Sequence, residues 1–131
     1  MLFSRAVAKL DHMVVRMLFE SYGLEKKDSD SHIDSTTYLL RYLKYRAPEM
    51  NETTMALLPH TDKTFLSILH QNQVSGLEIK ARNEEWISIE FPPNSFVVMA
   101  GDACKVIMMN PTIHTLFMMN GMIRIHDKDY L

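Results

Sequence analysis

Between Thr64 and Met99 the chain is written in short runs that suit strands and are too brief for helices. Thr64-Phe65-Leu66-Ser67-Ile68-Leu69, Leu77-Glu78-Ile79-Lys80, Trp86-Ile87-Ser88-Ile89 and Ser95-Phe96-Val97-Val98-Met99 are rich in β-branched, aliphatic and aromatic residues. Between them lie Gln71-Asn72-Gln73 with Gly76, then Arg82-Asn83-Glu84-Glu85, then Pro92-Pro93-Asn94, and after the last comes Gly101-Asp102. These separators are turn chemistry, because Gly and Asn tolerate positive φ and Pro presets it. Short strands at regular intervals predict an antiparallel sandwich or barrel.

The front of the chain follows a different period. Leu10, Met13, Val14, Met17 and Leu18 recur at helical spacing, predicting a helix over residues 7–22 with its apolar stripe on those positions and its stop at Gly23. The charged run from Glu25 to Ser31 has no apolar anchor and reads as an exposed connection. Tyr38, Leu39, Leu40, Tyr42 and Leu43 read as a strand entering the sheet, ended by Pro48. At 131 residues the expectation is a single domain, mainly β with N-terminal helices. It divides into a helix at 7–22, barrel strands over 38–103 and a divergent tail over 104–131.

Charge and cysteine content narrow the function classes. A formal charge of −2 and a pI near 6.3 come from interspersed acids and bases, which argues against nucleic acid as a partner. The run Met1-Leu2-Phe3-Ser4-Arg5 is too short and too charged for a signal peptide, and no segment approaches the ~20 apolar residues of a membrane span. With Cys104 the single cysteine, no internal disulfide can form, and the expected compartment is the reducing cytoplasm. No Gly-rich phosphate loop and no Gly-X-Ser-X-Gly elbow is present, against nucleotide-dependent transfer and serine hydrolysis.

His60-Thr61-Asp62 carries the chemistry. Residues two apart on an extended segment project to the same face, so an imidazole nitrogen and a carboxylate oxygen converge. Those donors suit adjacent positions on an octahedral ion, and one more histidine would complete the facial triad of non-haem Fe(II) oxygenases. The same tripeptide also describes a His and an Asp sharing a surface hydrogen bond.

The surrounding text favours the metal. Pro59-His60-Thr61-Asp62-Lys63, Ile68-Leu69-His70-Gln71-Asn72, Val74-Ser75-Gly76-Leu77-Glu78, Trp86-Ile87 and the stretch from Pro93 to Asp102 follow one another as they do in the plant 2-oxoglutarate, Fe(II)-dependent dioxygenases. The chain resembles that superfamily, and within it the AOP-like branch, with the auxin-oxidising dioxygenases as neighbours. Glu20-Ser21-Tyr22-Gly23-Leu24 and Leu43-Lys44-Tyr45-Arg46 share the resemblance, which extends from about Leu10 to Ala103. It implies a double-stranded β-helix (jelly-roll) barrel, Fe(II) held by His60 and Asp62, and 2-oxoglutarate as cosubstrate, with ascorbate as an accessory reductant. The implied activity is oxidation of a small plant metabolite or hormone, coupled to oxidative decarboxylation of 2-oxoglutarate. Tyr45 falls where relatives place a tyrosine that reaches the cosubstrate carboxylate; a buried strand tyrosine is the alternative.

After Ala103 the likeness deteriorates. An ungapped continuation puts the distal histidine ligand near Phe117, which cannot bind iron, and His114 lies three residues earlier as the candidate replacement. A loop or surface histidine is the alternative, because a three-residue shift reverses the face of a strand. Arg124-Ile125-His126 resembles the family's arginine-X-serine pair without its serine. Arg124 is thus a candidate for a bidentate pair with the distal carboxylate of 2-oxoglutarate, or else an exposed tail arginine. His126 is a weaker ligand candidate. His12, His32 and His70 read as imidazoles satisfied by their surroundings. Cys104 reads as a packed strand residue, and the tail methionines as core filling. The rival functional reading is a truncated, catalytically impaired paralogue that serves as a binding module, or a gene-model fragment. Substrate identity and oligomeric state are not legible.

Overall fold

A computed structural model describes residues 2–45, 55–71, 75–81, 83–108 and 123–126, the last segment by its backbone. The chain forms two compact units, Met1–Leu43 and Lys44–Leu131.

The first unit is a helical hairpin, α1 over Leu2–Ser21 and α2 over Lys26–Ser35. The expected stop at Gly23 is a Schellman motif: Gly23, at φ 71°, donates to Glu20 O (2.9 Å) while Leu24 N–H reaches back to Phe19 O (3.0 Å). The buried face of α1 is Asp11, Val15 and Phe19, whereas Met13 and Met17 of the expected stripe are exposed. The apolar periodicity found the helix but set its inward face about one position off.

The charged run after Gly23, expected as a connection, is helical instead. Its order comes from polar contacts that an apolar-period reading does not register. Asp28 accepts from the N–H of the capping residue Glu25 (3.0 Å), and Asp30 accepts from Arg16 of α1 (3.0 Å) and from Lys26. Those two hydrogen bonds, Lys26 first, hold the Asp30 carboxyl below its ordinary pKa. The residue α2 buries is Ser29, whose hydroxyl is returned to Lys26 O (2.8 Å). Residues 36–45, expected as a strand, carry neither helix nor strand. Within them Tyr38 donates to the buried Asp11 carboxylate at 2.9 Å.

Among its described residues the second unit holds six strands, β1 (Met55–His60), β2 (Leu66–Leu69), β3 (Leu77–Lys80), β4 (Trp86–Ser88), β5 (Val97–Ala100) and β6 (Ile123–His126), with α3 (Asp102–Met108) between the last two. They make two antiparallel sheets, one ordered β1-β6-β3-β4 and the other β2-β5. The four strands expected between Thr64 and Met99 are all present. β1 is an addition: it contains Pro59, which cannot donate to a ladder, and lies at the edge of its sheet, where that loss is tolerated. Asn94, at φ 61°, follows Pro92-Pro93 in a turn closed by Ser95 N–H to Pro92 O (3.1 Å).

The sheets meet through Leu77 and Ile79 of β3 and Met99 of β5, with Leu69, Val97, Ile89 and Phe91 packed around them. Each such side chain contributes about 1.5–3 kcal/mol when fully buried. Cys104, expected on a strand, is in α3; its expected packing role holds, since it is completely buried and burial pushes its thiol up to about 11. Among the described residues no helix is long and apolar enough to cross a membrane.

Candidate metal centre

His60 is the last residue of β1 and Asp62 lies two residues beyond it, where the ladder has ended. The extended backbone brings their side chains together, with His60 Nε2 3.6 Å from Asp62 Oδ1. The imidazole is oriented from behind: Nδ1 lies 2.9 Å from Leu58 O. A carbonyl oxygen can only accept, so Nδ1 carries a proton and Nε2 is the ring nitrogen turned to the carboxylate. That orientation and that outer partner are what a metal-binding histidine requires.

The donor set fits a divalent ion. Bonds of about 2.1 Å from a nitrogen and an oxygen to one metal put the two donors about 3.0 Å apart at a right angle and at most about 4.2 Å apart. The observed 3.6 Å falls inside that span. The side chains are 39% and 26% exposed, which leaves room for further ligands on the open side. Among the described residues no third His, Cys, Asp or Glu joins them.

The loop carrying Asp62 is tied to the start of α3. Asp102 N–H donates to Asp62 O (2.7 Å), Thr61 Oγ1 donates to Asp102 Oδ2 (3.0 Å), and Gly101 N–H donates to Phe65 O (2.9 Å). Asp102 and Thr61 escape a sequence reading because they are 41 positions apart. The only signal was the Gly101-Asp102 pair itself, which reads equally well as a turn.

The remaining site residues expected from the sequence are placed as follows. Tyr45 is partly buried, and burial raises its hydroxyl above the ordinary tyrosine pKa, so it is a neutral donor at physiological pH. His114 lies outside the described residues. Arg124 stands in β6 opposite Glu78 of β3, while its neighbour Ile123 stands opposite both Ile79 and His60. His126 is opposite Met55. His70 is engaged elsewhere, with Nδ1 2.9 Å from Ser95 O and its ring 5.0 Å from that of Phe96. His12 and His32 lie beside the rings of Tyr38 and Phe19.

Residues 34–126 match the 2OG-Fe(II) oxygenase superfamily. The chain is 42% identical over 118 residues to a probable 2-oxoglutarate-dependent dioxygenase AOP1 of Arabidopsis thaliana, covering 87% of this chain and 38% of the relative. It is 34% identical over 116 residues to gibberellin 3-beta-dioxygenase 3 of the same plant, covering 80% of this chain and 33% of that protein. A probable inactive 2-oxoglutarate-dependent dioxygenase AOP2 of Arabidopsis thaliana is 41% identical over 63 residues, which is 47% of this chain and 16% of the relative. The chain thus spans 38% of the length of the first of these relatives and less of the other two.

Proposed function

The chain belongs to the 2OG-Fe(II) oxygenase superfamily, and from that premise we propose that it binds Fe(II) through His60 and Asp62 and takes part in 2-oxoglutarate-dependent oxidation of a small plant metabolite or hormone. The observation that carries this reading is the convergence of His60 Nε2 and Asp62 Oδ1 at 3.6 Å, with the imidazole fixed by Leu58 O. His114 is the third donor of this reading. The two sheets form part of a double-stranded β-helix, and the protein works in the cytoplasm, where the lone, buried Cys104 stays reduced.

When bound, the iron supplies a Lewis-acid and one-electron redox centre for dioxygen chemistry coupled to decarboxylation of 2-oxoglutarate. The protein's own part is positional. His60 offers Nε2, with Nδ1 engaged by Leu58 O, and Asp62 offers a carboxylate oxygen beside it. Tyr45, protonated at neutral pH, donates a hydrogen bond to a carboxylate of the cosubstrate. Arg124 is the candidate for the distal carboxylate.

A second reading, a catalytically impaired paralogue retained as a binding module, draws on two observations. Arg124 is aligned with Glu78, while Ile123, one residue before it, is aligned with His60, and a relative 41% identical over 63 residues is itself named probable inactive. Titration of the purified protein with Fe(II) under argon, followed by a succinate assay with 2-oxoglutarate and oxygen, separates the readings. Metal binding that disappears in His60→Ala and Asp62→Ala supports a metal centre, and succinate formation supports the oxygenase. Binding unchanged by both substitutions refutes the site.

A further inference from the structure

We propose that Asp102 is a positioning residue for the metal-binding segment, acting through Thr61 and the Asp62 carbonyl to hold the two donor side chains in convergence. The inference rests on the reading of His60 and Asp62 as metal ligands. Its starting point is that Asp62 lies past the end of β1, so no strand ladder fixes it. A carboxylate on an untethered loop would sample many orientations, and each alternative would weaken the bite it shares with His60.

The tether comes from the segment following β5. Antiparallel pairing of β2 with β5, Leu66 against Ala100, delivers Gly101 and Asp102 alongside residues 61–65. Three hydrogen bonds then cross the gap. Gly101 N–H reaches Phe65 O at 2.9 Å, Asp102 N–H reaches Asp62 O at 2.7 Å, and Thr61 Oγ1 reaches the Asp102 carboxylate at 3.0 Å. The approach is close enough that a Cβ on Gly101 would lie 2.0 Å from Thr64 O and 2.8 Å from Asp62 O. Thr61 is the residue between the ligands, so by strand-like alternation its side chain leaves the backbone on the side away from theirs. Holding that side chain, together with the Asp62 carbonyl, sets the twist of the tripeptide. It thereby sets the angle between the His60 and Asp62 side chains without occupying either donor. Asp102 acts through Thr61 and the Asp62 carbonyl as an outer-shell partner, the kind whose loss typically costs 10–100-fold in metal affinity.

Cobalt(II), a spectroscopic substitute for ferrous iron, tests the proposal through visible absorption on the full chain, with urea unfolding midpoints measured in parallel. Asp102→Ala removes the acceptor of the Thr61 bond and keeps the backbone N–H. Asp102→Asn keeps an acceptor oxygen. Thr61→Val removes the donor while preserving shape, and also serves if Asp102→Ala fails to fold. The expected result is a loss of about tenfold or more in cobalt affinity for Asp102→Ala and for Thr61→Val. The double variant should be no weaker than either single one, and Asp102→Asn and Thr61→Ser should stay near the parent. Parent-like affinity in Asp102→Ala and Thr61→Val overturns the proposal, as does a lowered unfolding midpoint with unchanged affinity, which marks a purely structural link. If the parent itself binds cobalt no better than His60→Ala, the metal reading and this proposal fall together; if the parent binds and the Asp102 series is flat, only the proposal falls.

Discussion

Replacing Gly101 by alanine should be among the most damaging single-methyl additions this chain can receive, and the reason is space. Gly101 is not among the residues at positive φ, so its backbone conformation is open to any L-residue. What forbids a side chain is the carbonyl of Thr64, 2.0 Å from the position a Cβ would take, with Asp62 O at 2.8 Å. Both obstacles are backbone atoms, so no rotamer change relieves them. The two segments must separate by an ångström or more, which breaks the bonds from Gly101 to Phe65 and from Asp102 to Asp62. Overpacking costs about 1–3 kcal/mol and each lost backbone hydrogen bond about 1 kcal/mol, for a total of roughly 3–5 kcal/mol. At roughly 4 °C per kcal/mol, the melting midpoint of the sheet unit falls by about 12–20 °C. Gly23 supplies the control, since it needs its glycine for conformation, at φ +71° with nothing within 4 Å of a Cβ. Gly23→Ala should therefore cost only about 1 kcal/mol. Thermal unfolding followed by circular dichroism reads both. If Gly101→Ala costs no more than Gly23→Ala, the close approach of the two segments is wrong, and the tether on Asp62 is wrong with it.

Two further outcomes follow from single groups. Burial, with a smaller contribution from the Asp11 carboxylate, raises the Tyr38 hydroxyl from 10.0 to about 12, so the folded-state pKa lies above the unfolded one. The contribution of that bond is then complete below pH 10 and disappears as pH rises from about 10 to about 12; Tyr38→Phe should flatten this part of the pH–stability curve of the helical unit, and an unchanged slope refutes the assignment. Cys104, fully buried with its thiol pushed up to about 11, should resist iodoacetamide at pH 8 until urea unfolds the sheet unit, so rapid labelling of the native protein would contradict the packing of α3.

Legibility from sequence followed the kind of interaction that creates each element. β2 to β5 were readable because their burial is apolar and their turns carry Asn, Gly and Pro, both of which are local signals. α2 was not, because its order comes from Asp28 at its own cap and from Asp30 shared by Lys26 and Arg16, and the residue it buries is a serine. β1 falls inside the span expected to hold barrel strands, but its own bounds were not legible, because they depend on its pairing with β6. The run from Tyr38 to Leu43 has strand-like composition, yet among the described residues no sheet contains it; Tyr38 instead serves the helical unit through Asp11. At the candidate site the donor pair is legible because its geometry is set by a spacing of two. Its support is not, because the link to Asp102 depends on how β5 pairs with β2.

The same dependence on pairing bears on Arg124. Directly opposed residues in antiparallel strands share a face, so His60, Ile123 and Ile79 occupy one face of the four-stranded sheet, the face of the apolar cluster. Arg124 and Glu78, one position along, belong to the other face. Glu78 is only 9% exposed, and a carboxylate so far from water is stable only with strong donors or a cation close by. Arg124 is the cationic position in register with it. A counterion role for Arg124 requires Arg124→Met to destabilise the sheet unit by about 3 kcal/mol. Restoration by the double replacement Glu78→Leu with Arg124→Met would identify the pair. On that role the affinity for 2-oxoglutarate, measured by calorimetry with cobalt in place of iron, stays unchanged in either variant, whereas the cosubstrate role proposed for Arg124 requires it to fall. A weakened 2-oxoglutarate complex with an undisturbed unfolding midpoint would instead return Arg124 to the cosubstrate, and would show that the strand order deduced from β6 does not dictate the chemistry at His60 and Asp62.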